Sequence, residues 1–299
     1  MESDAAPFRP RPDGPGASGA AIHARRASSF GGAAAAYAEH RPDYPGAGIA
    51  WALDPVSGQP GRPLRVLDLG AGTGKLTAQL ASLTTSGNGV AVVAVEPDAQ
   101  MLAELRRRVP GVTALPGRAE SIPLPDASVD AVLSGQAMHW FDPASAMPEI
   151  ARVLVPGGVV AGLWNAEDDR VDWVAGLRLT TGRTNVAALS SFTQREFADD
   201  DGVLRWLRGA GQALFGPAEQ ARFDHAQVRD ADSLIETMKT HSMFLIMAQD
   251  ERAAVLGRVR EYLAATPHTA AGEFVLPLQT IAVRAVRRQR GASGTGPGR

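Results

Sequence analysis

Val66-Leu67-Asp68-Leu69-Gly70-Ala71-Gly72-Thr73-Gly74-Lys75-Leu76-Thr77 is the stretch on which the reading of this chain turns. An apolar run carrying an acidic residue passes into three glycines spaced two apart, and a helical pattern follows. Glycine admits positive φ and lets a ligand approach the backbone closely. Amides at the start of the following helix can bind an electronegative group. Two phosphate-binding turns do not fit. A dinucleotide turn requires G-x-G-x-x-G, and Lys75 stands where its third glycine belongs. A P-loop requires a hydroxyl after Gly-Lys, and Leu76 follows Gly74-Lys75.

Outward from the turn, strand and helix patterns alternate. Residues 64–69 read as a short strand and 75–83 as a helix behind the glycines. The β-branched run 90–95 ends in Glu96 and suits a strand buried on both faces of a parallel sheet. Pro97-Asp98 then opens a helix over 99–109, with Asp98 in the capping region. Residues 112–115 and 129–134 read as strands three and four, 144–154 as a helix, and 159–164 as strand five. Five such alternations argue for a doubly wound, mostly parallel α/β sheet. Beyond residue 165 the composition turns helical, with further helices over 231–247 and 250–265. Candidate strands at 218–228 and 273–286 would complete the sheet, Pro277 confining the start of the latter to an edge.

The pattern D-x-G-x-G-x-G at Asp68–Gly74 resembles motif I of class I S-adenosylmethionine methyltransferases. The resemblance implies a seven-stranded, mostly parallel Rossmann-like sheet with helical lid insertions, and S-adenosylmethionine as cofactor, leaving as S-adenosylhomocysteine. It implies that Gly70, Ala71, Gly72, Thr73 and Gly74 pack against the methionine part, with Asp68 orienting it. In an open α/β sheet the ligand sits at the carboxyl ends of the strands. Glu96 stands at such an end, and its two oxygens match the vicinal diol of a ribose. Pro97 follows it, and Met101, early in the next helix, can pack on the adenine face. The segment Gly117-Arg118-Ala119-Glu120 resembles the family's adenine-binding loop, Ala119 offering a backbone N–H and Glu120 a carboxylate.

The segment Gln136-Ala137-Met138-His139-Trp140-Phe141-Asp142 resembles a subgroup that includes trans-aconitate methyltransferase-like enzymes, as does Phe30…Tyr37…His40-Arg41-Pro42-Asp43-Tyr44-Pro45. The resemblance extends from about residue 29 to 288. It places Gln136, Ala137 and Trp140 on the cofactor pocket. Tyr37, Arg41 and Tyr44 fall on an N-terminal segment folding over the site. Arg41 can meet a carboxylate through its planar fork. His139, near the end of strand four, is the leading candidate base because of its ordinary pKa range; His40 is another. Tyr44, His40, Trp164 and Asn165 are expected to face the acceptor. Residues 1–28 and 289–299 are expected to be disordered extensions, 29–164 the cofactor-binding core, and 165–288 the acceptor lid with the closing strands.

Composition bounds the chemistry. The 299 residues hold 44% apolar and 21% charged side chains, ordinary for a soluble globular protein. The net charge of −2 gives no electrostatic footing for nucleic acid. The chain has no cysteine, so a thiolate nucleophile and Cys-ligated zinc are excluded, and no metal is expected. The N-terminal stretch lacks the apolar core of a secretory signal, and no run is long enough to span a bilayer, so a cytoplasmic location is expected. The expected function is methyl transfer to a small-molecule acceptor, favouring a carboxylate or hydroxyl oxygen. Two alternatives stand beside it: a non-catalytic binding protein on the same fold, and an NAD-dependent oxidoreductase, which Lys75 disfavours.

Overall fold

The computed structural model describes residues 41–57, 61–83, 89–180, 209, 211–241, 244 and 247–289. Its strands are β1 (Leu64–Leu69), β2 (Val90–Glu96), β3 (Thr113–Pro116), β4 (Val129–Gly135), β5 (Leu154–Glu167), β6 (Glu219–Arg229) and β7 (Phe274–Val286). Its α-helices are α1 (Gly46–Leu53), α2 (Lys75–Ser82), α3 (Ala99–Arg108), α4 (Pro143–Val153), α5 (Asp172–Thr180), α6 (Ala231–Lys239) and α7 (Gln249–Ala265). The strands form one sheet in the order β3-β2-β1-β4-β5-β7-β6. β1 through β5 pair in parallel, and β7 runs antiparallel to both β5 and β6. This is the doubly wound arrangement expected, and strand order reverses between β1 and β4.

Alternation along each strand divides the core into two layers. Leu67, Leu69, Val132 and Val160 face Met147 and Ile150 of α4. Their neighbours Val66, Ala131, Leu133 and Ala161 face Ile49 and Leu53 of α1 and Leu76 and Leu80 of α2. A third cluster joins Trp173 and Leu177 of α5, Leu234 of α6, Val259 and Leu263 of α7, and Phe274, Leu276 and Leu278 of β7. β7 thus closes the sheet with its second half and carries the helical lid on its first.

Two local departures from expectation, at β5 and α6, have clear causes, and Pro277 falls where β7 has no β5 partner. β5 begins at Leu154, because Leu154 already pairs with Val129 and pairing resumes at Val159 opposite Ala131, with Val155-Pro156-Gly157-Gly158 forming the irregularity between them. α6 stops at Lys239, where Thr240 Oγ1 donates to Thr237 O at 2.6 Å. Pro277 lies within β7 opposite Ala226 of β6, one residue beyond the last β5 pair, Glu167 with Leu278. Its carbonyl accepts from Asp168 N at 3.0 Å, so its missing N–H points past the end of β5. Of the expected extensions 1–28 and 289–299, all but residue 289 lie outside the described residues. No helix among the described residues is long and apolar enough to cross a membrane.

One buried charge cluster ties the base of the sheet. Asp130, fully buried on β4, accepts from Arg62 Nη1 and Nη2 at 2.6 and 2.8 Å and from Arg65 Nη2 and backbone N, each at 2.9 Å. Burial opposes ionisation of Asp130, but the arginine hydrogen bonds outweigh it and hold the carboxyl well below the usual range. The tie contributes its stability at neutral pH and loses it as pH falls below the ordinary carboxyl range. Replacing Arg62 and Arg65 together by alanine leaves a buried, uncompensated carboxylate and should cost about 3–5 kcal/mol in urea unfolding. A loss under ~1 kcal/mol would remove the tie from the account of stability.

Candidate functional site

The glycine turn is locked to β2. Gly70 N and Ala71 N both donate to Val95 O, at 2.9 and 3.1 Å. Gly70 and Gly74 have φ of +69° and +87°, which side-chain-bearing residues rarely adopt. Space is also limiting: a Cβ on Gly70 would lie 2.7 Å from Ala137 Cβ, and one on Gly74 2.8 Å from Leu105 Cγ. At Gly72 the nearest such neighbour is Met101 Sδ at 3.8 Å, so the middle of the turn presents bare backbone.

Two carboxylates flank the turn. Glu96 is 6% exposed; its Oε2 accepts from Gly72 N at 2.8 Å and its Oε1 from Asp98 N at 2.9 Å. Burial nonetheless raises its pKa. Each oxygen keeps capacity for a further donor. Asp68 is fully buried, and its Oδ2 accepts from Thr77 Oγ1 at 2.6 Å. Burial, aided by the charge of Glu96 and opposed by the Thr77 hydrogen bond, pushes the Asp68 carboxyl up to about 7. Asp68 Oδ1, Thr73 Oγ1 and Ser134 Oγ are buried without a hydrogen-bond partner. Such atoms are rare in folded proteins, and three near the carboxyl ends of β1 and β4 point to a polar ligand.

The adenine-side residues lie next to this group. Asp98 caps α3 by accepting from Gln100 N and Met101 N, both at 2.9 Å, and Met101 is buried. Pro97 is exposed at the end of β2. Ala119 is buried in the first core layer. Glu120 Oε1 accepts from Asp142 N at 2.8 Å, which anchors the loop after β4. In that loop Gln136 has φ of +56°, an unusual conformation for a residue with a side chain. Its amide donates to Leu163 O at 2.9 Å and its Nε2 to Asn165 O at 2.8 Å. His139 and Trp140 sit on the short 3-10 turn Met138–Trp140, their rings 4.7 Å apart.

A cavity of about 140 Å³ opens beside this loop, between the ends of β5, β6 and β7 and the lid helices α5 and α6. Arg41, Gln136 and Asn165 line it, as do Arg178, Arg229 and His241. Asn165 is fully engaged: Nδ2 donates to Asp43 O at 3.0 Å, and Oδ1 accepts from Thr280 Oγ1 at 2.5 Å. It therefore holds the N-terminal segment across the site. Trp164, expected to face the acceptor, is fully buried in the first core layer and does not line the cavity. Consecutive strand residues project to opposite faces, so Trp164 and Asn165 cannot both look inward. Tyr44 is also buried, its hydroxyl packed where a Cβ on Gly135 would stand. It and His139 lie outside the cavity lining. Tyr37 and His40 lie outside the described residues. Arg178, Arg229 and His241 belong to no motif; the one hint was Arg229 at the end of an alternating strand, on the phase that turns inward.

Asp68 makes a checkable contribution to stability. The folded chain holds an extra proton between the ordinary carboxyl pKa of about 4 and about 7. Unfolding free energy should therefore fall as pH rises across that window and level off above it. Asp68→Asn should flatten this dependence in urea titrations run at about pH 5 and about pH 8. An unchanged slope would locate the pH dependence elsewhere.

Comparison with known proteins agrees with this geometry. The family model described as a methyltransferase domain matches residues 67–162, which run from β1 through most of β5. A methyltransferase of Mycobacterium tuberculosis (strain H37Rv), itself uncharacterized, is 39% identical over 86% of this chain and 95% of its own length. Among solved structures, a protein assigned to an antibiotic biosynthesis pathway of Anabaena variabilis as a methyltransferase has a TM-score of 0.53 at 22% identity, covering 78% of this chain and 94% of that one. Phosphoethanolamine N-methyltransferase 2 of Haemonchus contortus, solved with S-adenosylhomocysteine, has a TM-score of 0.50 at 18% identity, covering 89% of this chain and 59% of that one. The glycine turn, the strand order and this relationship lead to one conclusion: the chain belongs to the class I S-adenosylmethionine-dependent methyltransferases.

Proposed function

We propose that this enzyme methylates an oxygen of a small organic molecule held in the cavity under the lid, in the cytoplasm. The observation that carries this reading is the join between two sites. Ala137 packs on Gly70 of the glycine turn, and the adjacent Gln136 lines the cavity. A ligand on the turn would share a wall with a molecule in the cavity.

The residues present fit the cofactor. Glu96 would accept the ribose hydroxyls on lone pairs left over from its two backbone donors. Asp68 Oδ1 and Thr73 Oγ1, buried and unpartnered, suit the ammonium and carboxylate of the methionine part. Gly70, Ala71, Gly72 and Gly74 would bring bare backbone against it. Pro97, Met101, Ala119 and Glu120 would surround the adenine, and Gln136, Ala137 and Trp140 would flank the sulfur. S-adenosylmethionine supplies a methyl on a cationic sulfur, and its transfer leaves a neutral thioether.

The protein's share of the reaction is alignment and exclusion of water. The lid cluster over β7 and the Asn165 contact with the N-terminal segment would close the cavity on the acceptor. A carboxylate acceptor needs no base, whereas a hydroxyl must lose a proton. His139 stands on the loop after β4 outside the cavity lining, so it would reach a hydroxyl only where the acceptor extends toward that loop. His241 is an imidazole on the cavity wall, and burial and the charge of Arg41 hold its pKa well below the ordinary value, leaving it neutral. Glu96→Ala should weaken S-adenosylmethionine binding about tenfold or more in calorimetry, through loss of charge-assisted hydrogen bonds. Equal affinity in the variant would sink the ribose assignment, and no binding of S-adenosylmethionine or S-adenosylhomocysteine to the wild type would sink the site.

A further inference from the structure

β6 is the outermost strand of the sheet, and among the described residues no strand pairs with its outer edge. It runs for 11 residues in unbroken register with β7, without a bulge. It contains no proline and no lysine. Natural proteins ordinarily blunt an edge strand by shortness, bulges, proline or lysine, because its free N–H and C=O groups invite another strand. β6 carries none of these devices.

The side chains on one face of β6 are already aligned. Arg222, Asp224, Ala226 and Val228 are exposed there. Gln279 of β7, itself buried, links the first two: it accepts from Arg222 Nη1 at 3.0 Å and donates to Asp224 Oδ1 at 2.8 Å. Arg170 Nη2 also donates to Asp224 Oδ1, at 2.7 Å. Both bonds fall on one oxygen of Asp224, and the other keeps its capacity for a further donor. Val228, 63% exposed, lies opposite Val275, 59% exposed, an apolar cross-strand pair at the end of the same face.

We propose that β6 is a self-docking surface: two copies of this chain pair their β6 edges antiparallel about a two-fold axis through Phe223, joining the two sheets into one. Residues directly opposite in such a pair point to the same side, so the faces stay continuous only if the axis passes through a residue. Three axes keep most of β6 paired, through residue 223, 224 or 225. Through 224, Asp224 meets its own copy, and like charges directly across antiparallel strands destabilise the pair; Glu219 there gains only Arg229, which is buried. Through 225, Arg222 meets Val228 and Asp224 meets Ala226, so neither charge is matched. Through 223, Arg222 of each copy meets Asp224 of the other, and Phe223 meets Phe223 on the opposite face. Opposite-charge and aromatic pairs across the strands both stabilise. Main-chain hydrogen bonds would supply the affinity and these side chains the register. Gln227 and Arg229, at the end of β6, line the cavity, so the pairing would brace that wall.

The test is sedimentation equilibrium of the full chain at micromolar concentration. The wild type should show a mass about twice the 31.3 kDa of one chain. Arg222→Asp and Asp224→Arg each place like charges at both crossings and should raise the dimer dissociation constant about tenfold or more. Mixed in equal amounts, the two variants regain opposite charges at both crossings and should associate about as tightly as the wild type. Mixing alters neither variant's fold, so that recovery separates a lost contact from a damaged chain. Should either variant not fold, hydrogen exchange on the wild type decides. Amides within 219–227 should exchange more slowly as protein concentration rises, while those of β3, at the other edge of the sheet, should not change. A monomeric wild type, full affinity in either variant, a mixture that stays monomeric, or concentration-independent exchange along β6 would each overturn the inference.

Discussion

A buried carboxylate at the carboxyl end of β2 is the constraint on which the site depends. Glu96 takes the amide of Gly72 on one oxygen and that of Asp98 on the other. One side chain therefore fixes both the turn after β1 and the entry to α3. Val95 O does the same from the backbone by accepting from Gly70 and Ala71. With the turn held on two sides, Gly70 and Gly74 must adopt positive φ, and the close contacts with Ala137 and Leu105 exclude any side chain there. Asp68 beside it is held protonated up to about pH 7 by the same burial. Two desolvated carboxylates lower stability, and perturbed groups of this kind gather where a ligand uses them.

The rest of the architecture serves to put a second cavity against that turn. Strand alternation sends Val66 and Leu67, or Ala131 and Val132, to opposite layers, so both faces of the sheet must be covered by helices. β7 extends past β5 and carries α5, α6 and α7 on its free first half. The cavity arises where this lid meets the ends of β4 and β5. Gln136, held in a left-handed conformation by Leu163 O and by its side-chain bond to Asn165 O, is the residue common to both sides.

The β1–α3 half of this arrangement was legible in the sequence. Asp68, the spaced glycines and Glu96 each stand at a strand end that local patterning marks. Strands one to four were legible to within about two residues for the same reason: each is bounded by a turn signal or a charge. β5 was read too short because Pro156-Gly157-Gly158 has turn composition, yet pairing with β4 resumes across it. The cavity's arginines were legible only in part. Arg41 sits in the N-terminal segment expected to fold over the site, whereas Arg178 and Arg229 come from segments without motifs, and only the fold brings the three to one cavity. Asp130 was missed likewise, since its partners Arg62 and Arg65 lie on another strand and its approach. Trp164 stands near an expected strand end, but alternation turns its side chain into the core while the next residue, Asn165, faces the cavity.

The most direct measurement is a crystal structure of the chain with S-adenosylhomocysteine. The account predicts the ribose hydroxyls on Glu96, the homocysteine amine near Asp68 and Thr73, and the sulfur at Gln136 facing the cavity that Arg229 lines. A ligand bound away from the glycine turn, or one whose sulfur faces away from that cavity, would contradict it.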